Sequence, residues 1–177
     1  MTRYVAMLRG VNVGGRTRLA MADLRRVVAD LGHDDVESYI QSGNVVFGSR
    51  AAASGLGPAI ERHLEQELGL TVSVLVRSHA QLTDVLSGNP LSGPGRDPSR
   101  LHVTFLSARP APGRSTAIDA DAYRPDEFVA RGREVYVHCP NGYGRTKLTN
   151  TFFERALGVS ATTRNLKTVV ELARRSS

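Results

Sequence analysis

Gly15-Arg16-Thr17-Arg18-Leu19 and Gly144-Arg145-Thr146-Lys147-Leu148 are near-copies of one pentapeptide in a 177-residue chain. In each copy a glycine permits close backbone approach, a threonine hydroxyl is suited to cap a helix start, and cations flank it. Free backbone N–H groups at a helix start favour anions. Each copy is therefore expected at a strand-to-helix corner that holds something negative. The first copy closes a glycine-rich stretch, Leu8-Arg9-Gly10-Val11-Asn12-Val13-Gly14-Gly15. If the two corners share one cleft, Arg9, Gly14, Gly15, Arg16, Arg18, Gly144, Arg145 and Lys147 line it and Arg164 adds charge. Asn12, Ser42 and Asn44, polar residues in turns, would orient the ligand.

The spacing excludes more specific chemistry. There is no Gly-Lys-Ser/Thr of a phosphate loop, and Gly10, Gly14 and Gly15 do not make the dinucleotide fingerprint. His138 and Cys139 are neighbours at a strand end and point to opposite faces, so they form no nucleophile–base pair. The five histidines have no metal-ligand spacing, so no metal or cofactor is expected. Asp119, Asp121, Asp126 and Glu127 lack a calcium-loop pattern and read as a solvated acidic loop. Tyr4 and Phe47 sit where RNA-recognition domains carry stacking aromatics, but Asn44-Val45-Val46-Phe47 lacks their motif, and both rings are expected in core or edge packing.

Composition sets the frame: 41% hydrophobic and 23% charged residues suit a globular protein with its own core. One cysteine excludes an internal disulfide. With no membrane-span pattern and no secretory signal visible, a cytoplasmic location is expected. The net charge is +6, and residues 131–177 carry nine basic side chains against three acidic, so an anionic partner is favoured.

The elements that must position the corners follow from periodicity. Residues 3–9 are apolar on both faces, as in a central strand. Leu24, Val27, Val28 and Leu31 mark a helix stopped by Gly32. Val36–Gln41 and Asn44–Phe47 read as a hairpin turning at Ser42-Gly43. A helix over Gly55–Leu68 ends at Gly69, and Thr71–Arg77 alternate as a strand. Ser78 with Gln81 is a capping box opening another helix. This is βαββαβ, the ferredoxin-like order, with a half over residues 1–87 and a linker over 88–100 rich in glycine and proline. Residues 101–177 form the second half: strand Leu101–Leu106, a small helix around Ser115–Ala120, and a hairpin of Glu127–Ala130 and Glu134–His138. Helices over Thr146–Leu157 and Asn165–Arg174 follow. The fold class is α+β, two ferredoxin-like halves with extra helices.

Leu8-Arg9-Gly10-Val11-Asn12-Val13-Gly14-Gly15 and Tyr39-Ile40-Gln41-Ser42-Gly43-Asn44-Val45-Val46-Phe47 resemble the signature of the domain-of-unknown-function 1697 family. Asn141-Gly142-Tyr143-Gly144-Arg145-Thr146-Lys147-Leu148 and Ala161-Thr162-Thr163-Arg164-Asn165 resemble it as well. Leu166 stands where the family pattern usually has tryptophan, and Ala20 where it tends to have proline. The resemblance implies no activity, but its motifs fall on the corners named above. The expected function is binding of an anionic ligand, nucleic acid or a phosphorylated small molecule, between the two corners, by a monomer or homodimer. Two alternatives are an enzyme acting on a phosphorylated or acyl substrate at that cleft, and an interaction module pairing through its edge strands.

Overall fold

The computed structural model describes residues 1–177. Strand β1 (Thr2–Leu8) is buried from Tyr4 onward because it pairs on both sides, with β3 (Asn44–Ser49) and β4 (Val74–Ser78). β2 (Asp34–Ser38) lies outside β3, giving an antiparallel sheet of order β2-β3-β1-β4. The two continuously apolar runs are thus the central strands and the alternating ones are edges. β2 carries Asp34, Asp35 and Glu37, charges that discourage strand addition at that edge.

Tyr4, Ala6 and Leu8 share a sheet face with Val45 and Phe47, and that face packs on helices α1 (Met21–Asp30) and α2 (Ala53–Leu68). Leu24, Val27 and Val28 recur at helical spacing and are fully buried, as are Ile60 and Leu64. Gly69 closes α2 in the left-handed conformation. The Tyr4 and Phe47 rings lie 6.1 Å apart inside this core, so neither forms an exposed stacking platform. Helix α3 (His79–Ser87) starts at a reciprocal capping box: Ser78 N–H donates to Gln81 Oε1 (2.9 Å), and Gln81 N–H donates to Ser78 Oγ (3.3 Å).

The second sheet repeats the first. β5 (Leu101–Leu106), β6 (Glu127–Arg131), β7 (Glu134–His138) and β8 (Ala161–Asn165) form an antiparallel sheet of order β6-β7-β5-β8. Helix α4 (Asn150–Leu157) packs Phe153 and Leu157 against Leu106, Val135, Val137 and Ala161. Helix α5 (Leu166–Arg175) follows β8. The repeat is close in detail. Arg77 pairs with Val5 and Arg164 with Val103 at the same register, and each donates its Nη1 to the preceding carbonyl, of Val76 (3.0 Å) and Thr163 (2.9 Å). The next residue caps a helix in both, Asn165 Oδ1 accepting from Thr168 N–H at 2.8 Å. Residues 1–84 with 171–177 form one compact unit and residues 85–170 the other.

Four local expectations change. The crossover from β5 to β6 has no helix over Ser115–Ala120 but a run of turns and a short 3₁₀ helix at Ala120–Tyr123, among Pro110, Pro112 and Gly113. Between β2 and β3 the chain makes a five-residue loop, residues 39–43, rather than a two-residue turn, with Ile40 at φ 49° and Gly43 at φ 80°. The run Ala161–Asn165 is a strand, so Asn165 ends β8 and caps α5. The helix read from Thr146 begins at Asn150, because Tyr143–Arg145 form a 3₁₀ turn and the chain extends through Thr146–Leu148 first.

Candidate functional site

The near-copied pentapeptides have the same burial pattern. Gly15, Arg16 and Arg18 are exposed, Thr17 is half-buried and Leu19 is buried; Gly144, Arg145, Lys147, Thr146 and Leu148 follow suit. In each, the leucine pins the segment to a core while both cations point to water. A cap residue and a helix come next: Ala20 before α1, with no side-chain cap bond, and Thr149 before α4, whose hydroxyl accepts from Phe152 N–H. Neither Thr17 nor Thr146 caps a helix, which corrects the expected role of these threonines. The corners follow β1 and β7, the first strand of one sheet and the third of the other, so they are not equivalent positions of the repeat. They also belong to different units.

The first corner is held by side chains expected to meet a ligand. Asn12 Nδ2 donates to the Leu19 carbonyl (2.8 Å) and the Gln41 carbonyl (2.7 Å), while its Oδ1 accepts from Leu19 N–H (3.0 Å). The fully buried Asn44 donates from Nδ2 to the Tyr39 carbonyl (3.1 Å) and Ser42 Oγ (3.0 Å). Gly43 lies against Leu8 and Val11, where a Cβ would collide with both side chains. These bonds fuse the glycine loop and the β2–β3 loop into one scaffold. An open depression there is lined by Asn12, Gly15, Arg18, Leu19, Ala20 and Gln41. Of the expected residues, Asn12, Gly15 and Arg18 meet at this depression; Arg9, Gly14, Arg16, Ser42 and Asn44 do not line it.

The second corner forms a more defined concavity of about 220 Å³. Its walls are Ala122–Asp126 and the segment carrying Asn141, Gly142, Arg145 and Lys147. One bond joins the walls: the Thr146 hydroxyl donates to Asp126 Oδ2 (2.7 Å) while accepting from Leu148 N–H (3.1 Å). Arg124 is paired with Asp121 at 2.8 Å, which raises its pKa. The side chains of Arg145 and Lys147 form no hydrogen bond or ion pair. Gly144 does not line the concavity. Cys139, opposite Asp126 beyond the end of the β6–β7 ladder, is buried, and burial pushes its thiol pKa up.

Arg164 lines neither depression. It is buried in β8, where its Nη1 donates to Thr162 Oγ1 (2.8 Å), and burial brings its pKa down to about 10. Asp126 and Tyr123, which line the second concavity, were not legible as partners of the corner from motif spacing. The β6–β7 register, pairing Glu127 with His138, brings residue 126 beside residues 139–142. Extending the hairpin read at Arg131-Gly132-Arg133 by that register is the signal that finds them. No three His, Cys, Asp or Glu side chains converge as a metal ligand set.

The model of the family described as a protein of unknown function (DUF1697) matches residues 1–136. The chain belongs to this family. The match spans the glycine loop, the β2–β3 loop and the Ala122–Asp126 wall; the motifs at 141–148 and 161–165 lie beyond it. The fold is similar to the solved structure of the conserved bacterial protein SP0830 from Streptococcus pneumoniae, with a TM-score of 0.71 and 24% identity over 99% of each chain. No curated protein matches the chain. No helix is long and apolar enough to cross a membrane.

Proposed function

We propose that this family member binds a small phosphoryl-bearing ligand in the concavity of residues 122–126 and 141–147. The observation that carries this is the pair of exposed cations, Arg145 and Lys147, held on one wall of a concavity with no ion pair of their own. Arg offers a planar fork for phosphate oxygens and Lys a compact charge, and hydrogen bonds to ionised groups are roughly twice as strong as neutral ones. Leu148, fully buried, fixes the segment that presents them. The concavity is smaller than the roughly 300–1,000 Å³ usual for drug-sized ligands, which favours a compact metabolite over a nucleic-acid strand. The first corner offers only Arg18 to its more open depression, so the second corner is the better phosphate site.

Calorimetric titration with inorganic phosphate tests this. Changing Arg145 and Lys147 together to Ala is expected to weaken binding at least about tenfold, from the loss of two charge-assisted contacts. Both side chains are exposed and unpaired, so stability should move by no more than about 0.5 kcal/mol. Phosphate binding that survives the double substitution would remove the site from this concavity.

A further inference from the structure

The second-unit concavity holds charges of both signs that do not pair with one another. Asp126 lines it with Arg145 and Lys147, and none of the three enters an ion pair. The Thr146 bond explains how the acid is kept apart: it engages Oδ2, and Thr146 is itself fixed by Leu148 N–H. Oδ1 is left without a hydrogen bond, in a half-buried residue at the ligand surface. An ionised carboxylate only accepts, so Oδ1 needs a donor from whatever fills the space.

A hydroxyl and an ammonium are two donors that a compact phosphorylated ligand can carry. Arg145 and Lys147, both without an acid of their own, share the lining with the one carboxylate, while Arg124 is neutralised by Asp121; two unpaired cations against one acid disfavour a further positive charge. A hydroxyl meets no such opposition. Asn141, exposed on the same lining, adds an amide that both donates and accepts, which suits a second hydroxyl. Tyr123, braced against Phe152 at 4.9 Å between ring centroids, supplies an apolar surface for C–H groups.

We infer that the ligand is a phosphate monoester of a polyol, a sugar phosphate, with its phosphate on Arg145 and Lys147 and its hydroxyls on Asp126 and Asn141. This rests on the phosphoryl-binding reading above and goes further by naming the ligand class. It predicts an opposition of sign. Asp126→Asn keeps an acceptor for Thr146 but removes the negative charge. Bare phosphate should then bind more tightly, while a hydroxylated phosphate exchanges a charge-assisted hydroxyl contact for a weaker neutral one.

The full-length chain is titrated with inorganic phosphate, a hexose monophosphate, aminoethyl phosphate and a short oligonucleotide. The hexose phosphate is expected to bind about tenfold more tightly than inorganic phosphate, as a hydrogen bond to a charged acceptor allows. In Asp126→Asn that advantage should shrink severalfold while inorganic phosphate tightens. Asn141→Ala, at an exposed position, should cost the hexose phosphate severalfold more than inorganic phosphate, and it keeps the test open if Asp126→Asn folds poorly. A hexose phosphate no tighter than inorganic phosphate overturns the inference, as does equal tightening of both in Asp126→Asn. Preference for aminoethyl phosphate overturns it in favour of a zwitterionic ligand, and preference for the oligonucleotide in favour of single-stranded nucleic acid. Inorganic phosphate that fails to bind, or ignores Arg145 and Lys147, defeats the underlying function instead.

Discussion

Replacing Asn12 with alanine removes a side chain that ties two loops together. Three hydrogen bonds of 2.7–3.0 Å disappear, two to carbonyls of Leu19 and Gln41 and one from Leu19 N–H. Bonds of this kind contribute about 0.5–1.5 kcal/mol each, and an exposed site places them toward the lower end. Asn12 also holds φ 55°, a left-handed conformation that asparagine tolerates better than alanine, by about 1 kcal/mol. The sum is about 2–3 kcal/mol, which for a chain of this size lowers the melting temperature by about 4–12 °C. Urea unfolding gives the free energy, and amide exchange at Leu19 gives the local effect, because its N–H loses its acceptor. Asn12→Gly relieves the backbone but not the bonds, so it should recover only about 1 kcal/mol. If Asn12→Ala were within 0.5 kcal/mol of the parent, with Leu19 exchange unchanged, the loop-tie argument would be refuted and Asn12 would again count among the ligand-facing groups.

Two further outcomes rest on the same structure. Gly43→Ala should destabilise by about 2 kcal/mol or more in thermal unfolding, because φ 80° and contact with Leu8 and Val11 leave a Cβ no room; a neutral effect would mean the loop can shift freely. Glu171 has its pKa lowered from 4.5 to about 2, first by a hydrogen bond from Arg174 and then by one from Arg175. Its stabilising contribution is therefore fully present above pH 4.5 and lost as pH falls through about 2. Glu171→Gln should flatten the acid limb of the stability curve in that window, measured by urea unfolding from pH 2 to 6, and an unchanged limb would show that these arginines do not hold the carboxylate in solution.

The fold was legible where burial is two-sided or strongly periodic. β1 and β3 are continuous apolar runs because they are central, and α1 and α2 repeat aliphatics at helical spacing because one face is covered. β8 was not legible as a strand, since Ala161-Thr162-Thr163-Arg164-Asn165 has one aliphatic side chain and takes its conformation from pairing with β5. The start of α4 was misread because Leu148, apolar and at helical spacing from Phe152, is drawn into the core from an extended segment. Of the residues that line the second concavity, the near-copied pentapeptide singles out Arg145 and Lys147. Asp126 was legible only as part of an acidic loop, because its role comes from cross-strand register rather than neighbours in sequence. Asn12 and Asn44 are polar turn residues whose hydrogen bonds to backbone carbonyls come from the loop conformation and could not be read from their neighbours in sequence.

The last seven residues count with the first unit, and they are bonded there. Arg3 donates to the Arg175 carbonyl, Arg175 pairs with Glu37 and lies over the Tyr39 ring, and the Ala173 carbonyl meets the His79 ring. These contacts span up to 172 positions. A ribosome that has released residues 1–84 has therefore not yet supplied everything the first unit uses. On emergence its edge strand β2 has neither Arg175 to pair with nor the terminal turns beside it. The order of synthesis thus differs from the order of completion: residues 85–170 can finish first, and the amino-terminal unit is closed only once residues 171–177 have left the exit tunnel.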